Sequence, residues 1–328
     1  MYRNALKLVG TLLFAALAFP ATAQETAPTM QQEPAARINY RTVKVEGLDI
    51  FYREAGDPKK PTILLLHGFP TSSHMFRNLI PALAADFHLV APDYPGYGNS
   101  SSPTADKFDY TFEHLTDIVE QFTQKLSLTK YAIYVQDYGA PVGFRLAVRH
   151  PERIQAIITQ NGNAYEEGLT GFWNNFRDLY WKDPSAENAK PLLAFLKLEG
   201  TQMQYQAGAR NKEHISPDAW IVPQYGLDRP GNQAIQLALF YDYRTNPSLY
   251  AKWHAYFRRY QPPTLIVWGK NDPIFGPEGA KAFQRDLKNS ELHLLDTGHF
   301  ALEEDNDEIA GYIRAFLNKQ SLMTKTKQ

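Results

Sequence analysis

The sequence predicts an α/β layer fold: a mostly parallel sheet of eight strands, helices on both faces, and a helical lid inserted after the sixth strand. Short apolar runs alternate with amphipathic stretches from Arg41 onward, which predicts strands joined by right-handed helical crossovers. Between residues 161 and 260, aromatic-rich helical segments broken by prolines replace the strand-like runs. We expect this insertion to lie over the carboxyl ends of the strands, where ligands bind in open α/β sheets.

The first two predicted strands are joined by Glu46-Gly47, which predicts a hairpin. Helical patterns separate the later strands and predict parallel pairing. The predicted strands are residues 41–45, 49–53, 62–67, 87–91, 131–136, 153–160, 264–268 and 291–295. The predicted domains are a core of residues 39–160 and 261–320, the insertion of residues 161–260, and a tail of residues 321–328.

The N-terminus has the pattern of a cleavable signal peptide. Two basic residues precede an apolar run from Leu8 to Phe19, and small residues lead to a cleavage point before Gln24. The apolar run is about twelve residues long, whereas a membrane anchor needs roughly 20. We therefore expect residues 1–23 to be removed and residues 24–38 to form a disordered lead-in. The mature protein is expected in the periplasm or outside the cell.

Composition narrows the classes of function. The chain has 328 residues, no cysteine and a formal net charge of -1. Removing residues 1–23 takes away two basic and no acidic residues, so the charge becomes -1 - 2 = -3. This charge indicates neither a nucleic acid nor an anionic membrane as a partner. The lack of cysteine excludes thiol catalysis and cysteine-ligated metals, and nothing in the sequence calls for a metal or an organic cofactor. The oligomeric state is left open.

One segment combines a buried strand, a sharp turn and a helix start: Tyr131-Ala-Ile-Tyr-Val-Gln-Asp137-Tyr-Gly139. A residue at such a strand-to-helix elbow is strained and stands above the sheet, and it needs small neighbours such as Gly139. The pattern therefore predicts Asp137 as a catalytic nucleophile. The alternative is an N-cap aspartate that opens an ordinary helix.

Two later loops extend this pattern. Asp272 follows the predicted strand 264–268, and His299 follows the predicted strand 291–295. The order nucleophile, acid, histidine, with each residue at a strand end, is that of a known catalytic triad. Each loop also has a purely structural interpretation, in which Asp272 starts a turn and His299 leads into a helix. Three such residues in the right order favour the triad.

The chain resembles the α/β-hydrolase superfamily in five motifs: HGFPTSSHMFRNLIPAL, APDYPGYGNS, VQDYGAPVGF, GKNDPIF and DTGHFALEED. Within it, the aspartate at the elbow resembles the branch that holds epoxide hydrolases and haloalkane dehalogenases. The resemblance implies Asp137 as the nucleophile, Asp272 as the acid that orients the base, and His299 as the general base. It implies an attack on saturated carbon and a covalent alkyl ester, which water then hydrolyses.

The loop after the third strand, His67-Gly68-Phe69-Pro70, matches the oxyanion-hole loop of the family. The resemblance implies that the backbone amides of Phe69 and Tyr138 hold the oxyanion formed during ester hydrolysis. The alternative is a plain turn at a strand end. In the next loop, Asp93, Gly96 and Gly98 are interpreted as structural, because glycines serve tight turns.

The dehalogenases of this branch usually carry a tryptophan directly after the nucleophile and often an asparagine in the oxyanion loop. Here those positions hold Tyr138 and Phe69, which weakens the halide interpretation, although Trp173 in the insertion is a possible halide-binding residue. Fluoroacetate-type enzymes carry arginines one and four places after the nucleophile. The chain has Tyr138 and Pro141 there, which disfavours haloacids.

Epoxide hydrolases use phenols of the lid to protonate the departing alkoxide. Tyr243, followed by Arg244, resembles the element that carries one such tyrosine; Tyr180 lies near the position of the other, but shifted. The alternative is that Tyr243 only packs in the lid. The expected function is epoxide hydrolysis of a small apolar substrate with water, with haloalkane dehalogenation as the alternative. An esterase-like aspartate hydrolase is a weaker alternative, because position 137 does not hold a serine. A non-catalytic binder of this fold is also weaker, because no triad member is lost.

Overall fold

The computed structural model describes residues 37–320, and eight of their segments form one sheet. The strands are β1 (Asn39–Val45), β2 (Leu48–Ala55), β3 (Thr62–Leu66), β4 (His88–Pro92), β5 (Tyr131–Gln136), β6 (Ile154–Gln160), β7 (Thr264–Gly269) and β8 (Ser290–Leu295). Their order is β1-β2-β4-β3-β5-β6-β7-β8. β2 runs opposite to the other seven strands, which share one direction. The predicted mostly parallel sheet is confirmed, and every strand boundary agrees within two residues.

The β1–β2 hairpin turns at Glu46 and Gly47, as predicted. Both residues have positive φ, 49° and 79°, which is the backbone of a two-residue type I′ turn that matches the twist of the flanking strands. The local turn therefore sets the register that pairs Val45 with Leu48.

Helices cover both faces of the sheet, because side chains alternate between the faces along each strand. On β3, Ile63 and Leu65 join one buried cluster and Leu64 and Leu66 join the other. The helices of the core are α1 (Leu79–Leu83), α2 (Phe112–Lys125), α3 (Gly139–Arg149), α9 (Pro277–Asp286) and α10 (Leu302–Lys319). Side chains of α1 and α10 pack in the cluster of Ile63, and those of α2, α3 and α9 pack in the other.

The insertion between β6 and β7 is helical. Its helices are α4 (Ala186–Leu193), α5 (Leu198–Gln206), α6 (Asp218–Leu227), α7 (Asn232–Asp242) and α8 (Thr245–Tyr260), with shorter helical turns between Glu166 and Tyr180. Arg229 ties it to the core by donating to the backbone carbonyls of Gly98, at 3.2 Å, and Gly96, at 2.8 Å. Aromatic side chains of the insertion continue the core cluster of α3.

The predicted signal peptide, residues 1–23, lies outside the described residues, as do most of the lead-in and the tail at 321–328. Export of the protein therefore stays a prediction. Within residues 37–320, no helix is long and apolar enough to cross a membrane.

Candidate active site

Asp137 occupies a strained elbow between β5 and α3. Its φ of 47° lies in the left-handed region, which few non-glycine residues adopt. A Cβ on Gly139 would lie 2.1 Å from the backbone oxygen of Leu66, so only glycine lets the start of α3 approach β3 this closely. The N-cap of α3 is Tyr138, with no side-chain capping bond. The Asp137 carboxylate is therefore not used as a helix cap.

Two backbone amides hold one oxygen of this carboxylate. The N–H groups of Phe69 and Tyr138 donate to Asp137 Oδ1 at 2.7 and 2.6 Å. The approach of the two loops requires Gly68, because a Cβ there would lie 2.3 Å from Cβ of Asp137. Oδ1 is thus fixed between two donors, and the other oxygen, Oδ2, is left to face His299.

His299 connects the other two members of the predicted triad. Its Nδ1 lies 2.7 Å from Oδ2 of Asp272, and its Nε2 lies 3.7 Å from Oδ2 of Asp137. All three side chains are buried. Since Asp272 follows β7 and His299 follows β8, the parallel sheet brings the ends of three strands together at one edge.

Asn161, which the sequence analysis missed, positions Asp272. Its Nδ2 donates to Asp272 Oδ2 at 2.7 Å, and its Oδ1 accepts from the backbone N–H of Gly269 at 2.9 Å. The signal for this role was present, because Asn161 directly follows β6 at the edge that carries the triad. Its side chain fixes the carboxylate against the end of β7.

A small cavity of about 20 Å³ opens at Asp137. Apart from Asp137 and Gln204, its lining is apolar or aromatic, as expected of a site for a small organic molecule. Its aromatic and aliphatic residues are Phe69, Tyr138, Phe172, Trp173, Phe176, Phe195, Phe240, Tyr243 and Ile274. The predicted residues Phe69, Tyr138, Trp173 and Tyr243 are therefore brought together here.

Tyr180 is not brought to this cavity. Its hydroxyl donates to the backbone oxygen of Leu237 at 3.3 Å, and Phe176, from the same helical turn, lines the cavity instead. The turn Phe176–Tyr180 is a π-helix, whose wider repeat changes which side chains share a face. The sequence pattern alone did not predict this shift.

Trp173 and Tyr243 differ as hydrogen-bond donors at the cavity. The indole N–H of Trp173 already donates to the backbone oxygen of Ile274 at 3.0 Å. Tyr243 is buried, with its ring against Trp173 at a centroid distance of 4.4 Å and its hydroxyl beside that of Tyr250. Burial raises the pKa of Tyr243 well above its ordinary value of 10. The phenol therefore keeps its proton.

The pKa values of Asp137 and His299 are both shifted from their ordinary values. Burial raises the pKa of Asp137 from 3.8 to about 6, against the opposing effects of His299 and the two amides. Burial alone would lower the pKa of His299, but the carboxylates of Asp272 and Asp137 outweigh it, so the pKa is raised. Asp137 is therefore ionised at neutral pH.

Other polar residues near the site have structural roles. Burial lowers the pKa of His67 to about 4. The neutral ring therefore donates from Nδ1 to Gly68 O at 2.9 Å and accepts at Nε2 from Tyr94 N at 3.2 Å. Asp93 accepts from the backbone amides of Ser73 and Asn99, at 2.7 and 2.8 Å.

A larger cleft of about 100 Å³ lies between the core and α6, but no triad residue lines it. Within residues 37–320, no group of three or more His, Cys, Asp or Glu residues has the arrangement of a metal site.

Comparison with known proteins agrees with this architecture. A family model described as the alpha/beta hydrolase fold matches residues 61–306. The chain belongs to this family. This α/β hydrolase is 45% identical over 262 residues to an uncharacterized hydrolase of Saccharomyces cerevisiae, covering 79% of this chain and 89% of that protein. It is 28% identical over 290 residues to a haloalkane dehalogenase of Mesorhizobium japonicum, covering 84% and 90%.

Among solved structures, an epoxide hydrolase from Vigna radiata matches with a TM-score of 0.69 at 22% identity, covering 86% of this chain and 98% of that chain. This likeness shows the shared fold. The family and the relatives identify the protein as a hydrolase.

The buried charge of Asp137 predicts a stability effect. Below a pH of about 3.8 the Asp137 carboxyl is neutral in both the folded and the unfolded chain. Above a pH of about 6 it is ionised in both, so folding must bury a charge and the folded state is destabilised. One pKa unit corresponds to about 1.4 kcal/mol. We therefore expect Asp137→Asn to raise the free energy of unfolding by about 1–3 kcal/mol near neutral pH.

Urea unfolding at pH 4 and at neutral pH measures this effect. The gain in the free energy of unfolding should become smaller at pH 4. Asparagine tolerates the left-handed backbone of position 137, so the substitution adds little strain. Asp106→Asn, at an exposed position, is the matched control. A stability of Asp137→Asn equal to that of the wild type at neutral pH would contradict the prediction.

Proposed function

We propose that this hydrolase uses Asp137 as a nucleophile and acts on epoxides. The observation that carries the proposal is that the two oxygens of the Asp137 carboxylate have different surroundings. Oδ1 is held by the amides of Phe69 and Tyr138, while Oδ2 faces His299 Nε2 at 3.7 Å. A carboxylate that attacks carbon needs one free oxygen, and the ester it forms needs donors at the other.

In the first step, Asp137 Oδ2 bonds to a ring carbon of the epoxide and the carbon–oxygen bond breaks. The ring oxygen leaves with the electron pair and takes a proton from the Tyr243 hydroxyl. The product is a hydroxyalkyl ester on Asp137. The aromatic lining favours an apolar substrate.

In the second step, His299 takes a proton from water, and the water oxygen bonds to Cγ of the ester. The resulting oxyanion is Oδ1, which the amides of Phe69 and Tyr138 already hold. Asp272 stabilises the charged imidazole. The tetrahedral centre then releases the diol, whose departing oxygen takes the proton from His299. Asp137, left as a carboxylic acid, loses its proton to solvent, and Tyr243 regains a proton from solvent.

Haloalkane dehalogenation is the second candidate, and the similarity to a haloalkane dehalogenase favours it. A departing halide needs N–H or similar donors. The one tryptophan at the cavity, Trp173, has its indole N–H bonded to Ile274 O, and Tyr138 and Phe69 replace the family's usual donors. The phenol of Tyr243 suits an alkoxide better, because an alkoxide needs a proton and a halide does not.

The cavity of about 20 Å³ has room for roughly one water molecule. A substrate therefore enters only when side chains of the insertion, such as Phe172 and Phe195, move apart. Export to the periplasm or the medium remains part of the proposal and rests on residues 1–23.

Mass spectrometry of the peptide that contains Asp137 tests the proposal. We expect His299→Gln incubated with a styrene-oxide-like epoxide to gain the mass of the whole epoxide at Asp137. A bromoalkane of similar size would add its alkyl group if the alternative holds. Absence of any adduct with either substrate, in a folded variant, would refute the aspartate nucleophile.

A further inference from the structure

Gln136, the last residue of β5, contacts the base directly. Its side-chain Nε2 lies 2.8 Å from Nε2 of His299, closer than any oxygen of Asp137. Gln136 is fully buried, and its Oε1 has no hydrogen-bond partner among residues 37–320. Buried polar groups are usually hydrogen-bonded in folded proteins, and the amide of Gln136 makes its hydrogen bond to the base.

The contact constrains the protonation of His299. Nδ1 donates its hydrogen to Asp272 Oδ2 at 2.7 Å, so in the neutral ring Nε2 carries a lone pair. The amide N–H of Gln136 is then the donor to that lone pair. When Nε2 gains a proton it becomes a donor itself, and two donors would face each other at 2.8 Å.

A half-turn of the amide resolves this conflict. The last torsion of a glutamine side chain is soft and two-fold, and the turn exchanges Nε2 for Oε1, which accepts a hydrogen bond. Oε1 of Gln136, which accepts no hydrogen bond while Nε2 donates to the neutral ring, thus accepts one from the charged ring.

We propose that Gln136 is a positioning residue that donates to the neutral ring of His299 in the resting enzyme, gives up this lone pair to water during ester hydrolysis, and then accepts from the charged ring. The use of this exchange during ester hydrolysis rests on the proposed function; the exchange itself does not. Ester formation removes the charge of Asp137 and hydrolysis restores it, so Asp137 cannot hold the ring at the same strength throughout. Gln136 is uncharged and stays available in both states.

The surroundings of His299 make the exchange measurable. The charged groups that face it are Asp272, after β7, and Asp137, after β5. Gln136→Glu adds a third carboxylate that only accepts. We expect the pKa of His299, followed by ¹⁵N NMR of labelled histidine, to rise by about one unit or more. Its signals are assigned by their loss in His299→Gln.

Gln136→Met keeps the length of the side chain and removes both hydrogen-bonding modes. We expect single-turnover hydrolysis of the ester at its optimum pH to slow by about tenfold or more, with ester formation unchanged. In Gln136→Glu the acid limb of the hydrolysis rate should move to higher pH. Gln124→Glu and Gln124→Met, at an exposed site on α2, are the matched controls.

The NMR titration needs no substrate, so it separates the two proposals. A shifted His299 pKa in Gln136→Glu without ester formation in any variant would retain the Gln136 exchange and reject the proposed function. An unshifted pKa in folded Gln136→Glu, or an unchanged hydrolysis rate and pH profile in Gln136→Met, would overturn the role of Gln136.

Discussion

Replacing Asp137 by Asn is expected to abolish both chemical steps, whereas replacing His299 by Gln is expected to leave the first step and stop the second. The reason is the geometry at Oδ2 of Asp137. In the proposed mechanism, Oδ2 attacks carbon without help from the base, whereas the water of the second step needs the imidazole of His299, whose Nε2 lies 3.7 Å from Oδ2. We expect steady turnover to fall by about 10⁴-fold or more in each variant.

Rapid-mixing kinetics distinguish the two variants. With an epoxide, His299→Gln should consume one equivalent of substrate and release no diol; with a bromoalkane, it should release one equivalent of halide. Asp137→Asn should do neither. Equal and complete loss of the first turnover in both variants, with both folded, would contradict this division of roles.

Tyr243→Phe is expected to slow epoxide opening by about 100-fold or more if the phenol acts as general acid. The hydroxyl is the only group removed, and the ring packing against Trp173 and Phe112 is kept. The loss will be smaller if Tyr138, which also lines the cavity, shares the role. A bromoalkane should react at nearly the wild-type rate, because a halide leaves without a proton.

Single-turnover rates on a styrene-oxide-like epoxide and on a bromoalkane of similar size measure the difference. Tyr180→Phe is the matched control, since its hydroxyl bonds Leu237 O outside the cavity. Wild-type epoxide opening by a folded Tyr243→Phe enzyme would remove Tyr243 from the mechanism. It would also remove the main reason for preferring epoxides to haloalkanes.

The strands and the order of the predicted triad could be predicted from the sequence because they depend on local patterns. An apolar run followed by Gln-Asp-Tyr-Gly predicts a strand and a tight elbow wherever the rest of the chain lies. Parallel pairing then brings Asp272 and His299 to the same edge as Asp137, so three positions separated by up to 162 residues were assigned together. The turn at Glu46-Gly47 was equally local.

The lining of the cavity was decided by packing. Phe176 and not Tyr180 faces Asp137 because a π-helical turn shifts the direction of the side chains. The N–H of Trp173 is bonded to Ile274 O, about one hundred residues away in the chain. Gln136 meets His299 across the sheet edge. Local sequence patterns set the backbone path and the alternation of faces, but these contacts join distant segments, so only the folded chain specifies which polar atoms are already paired.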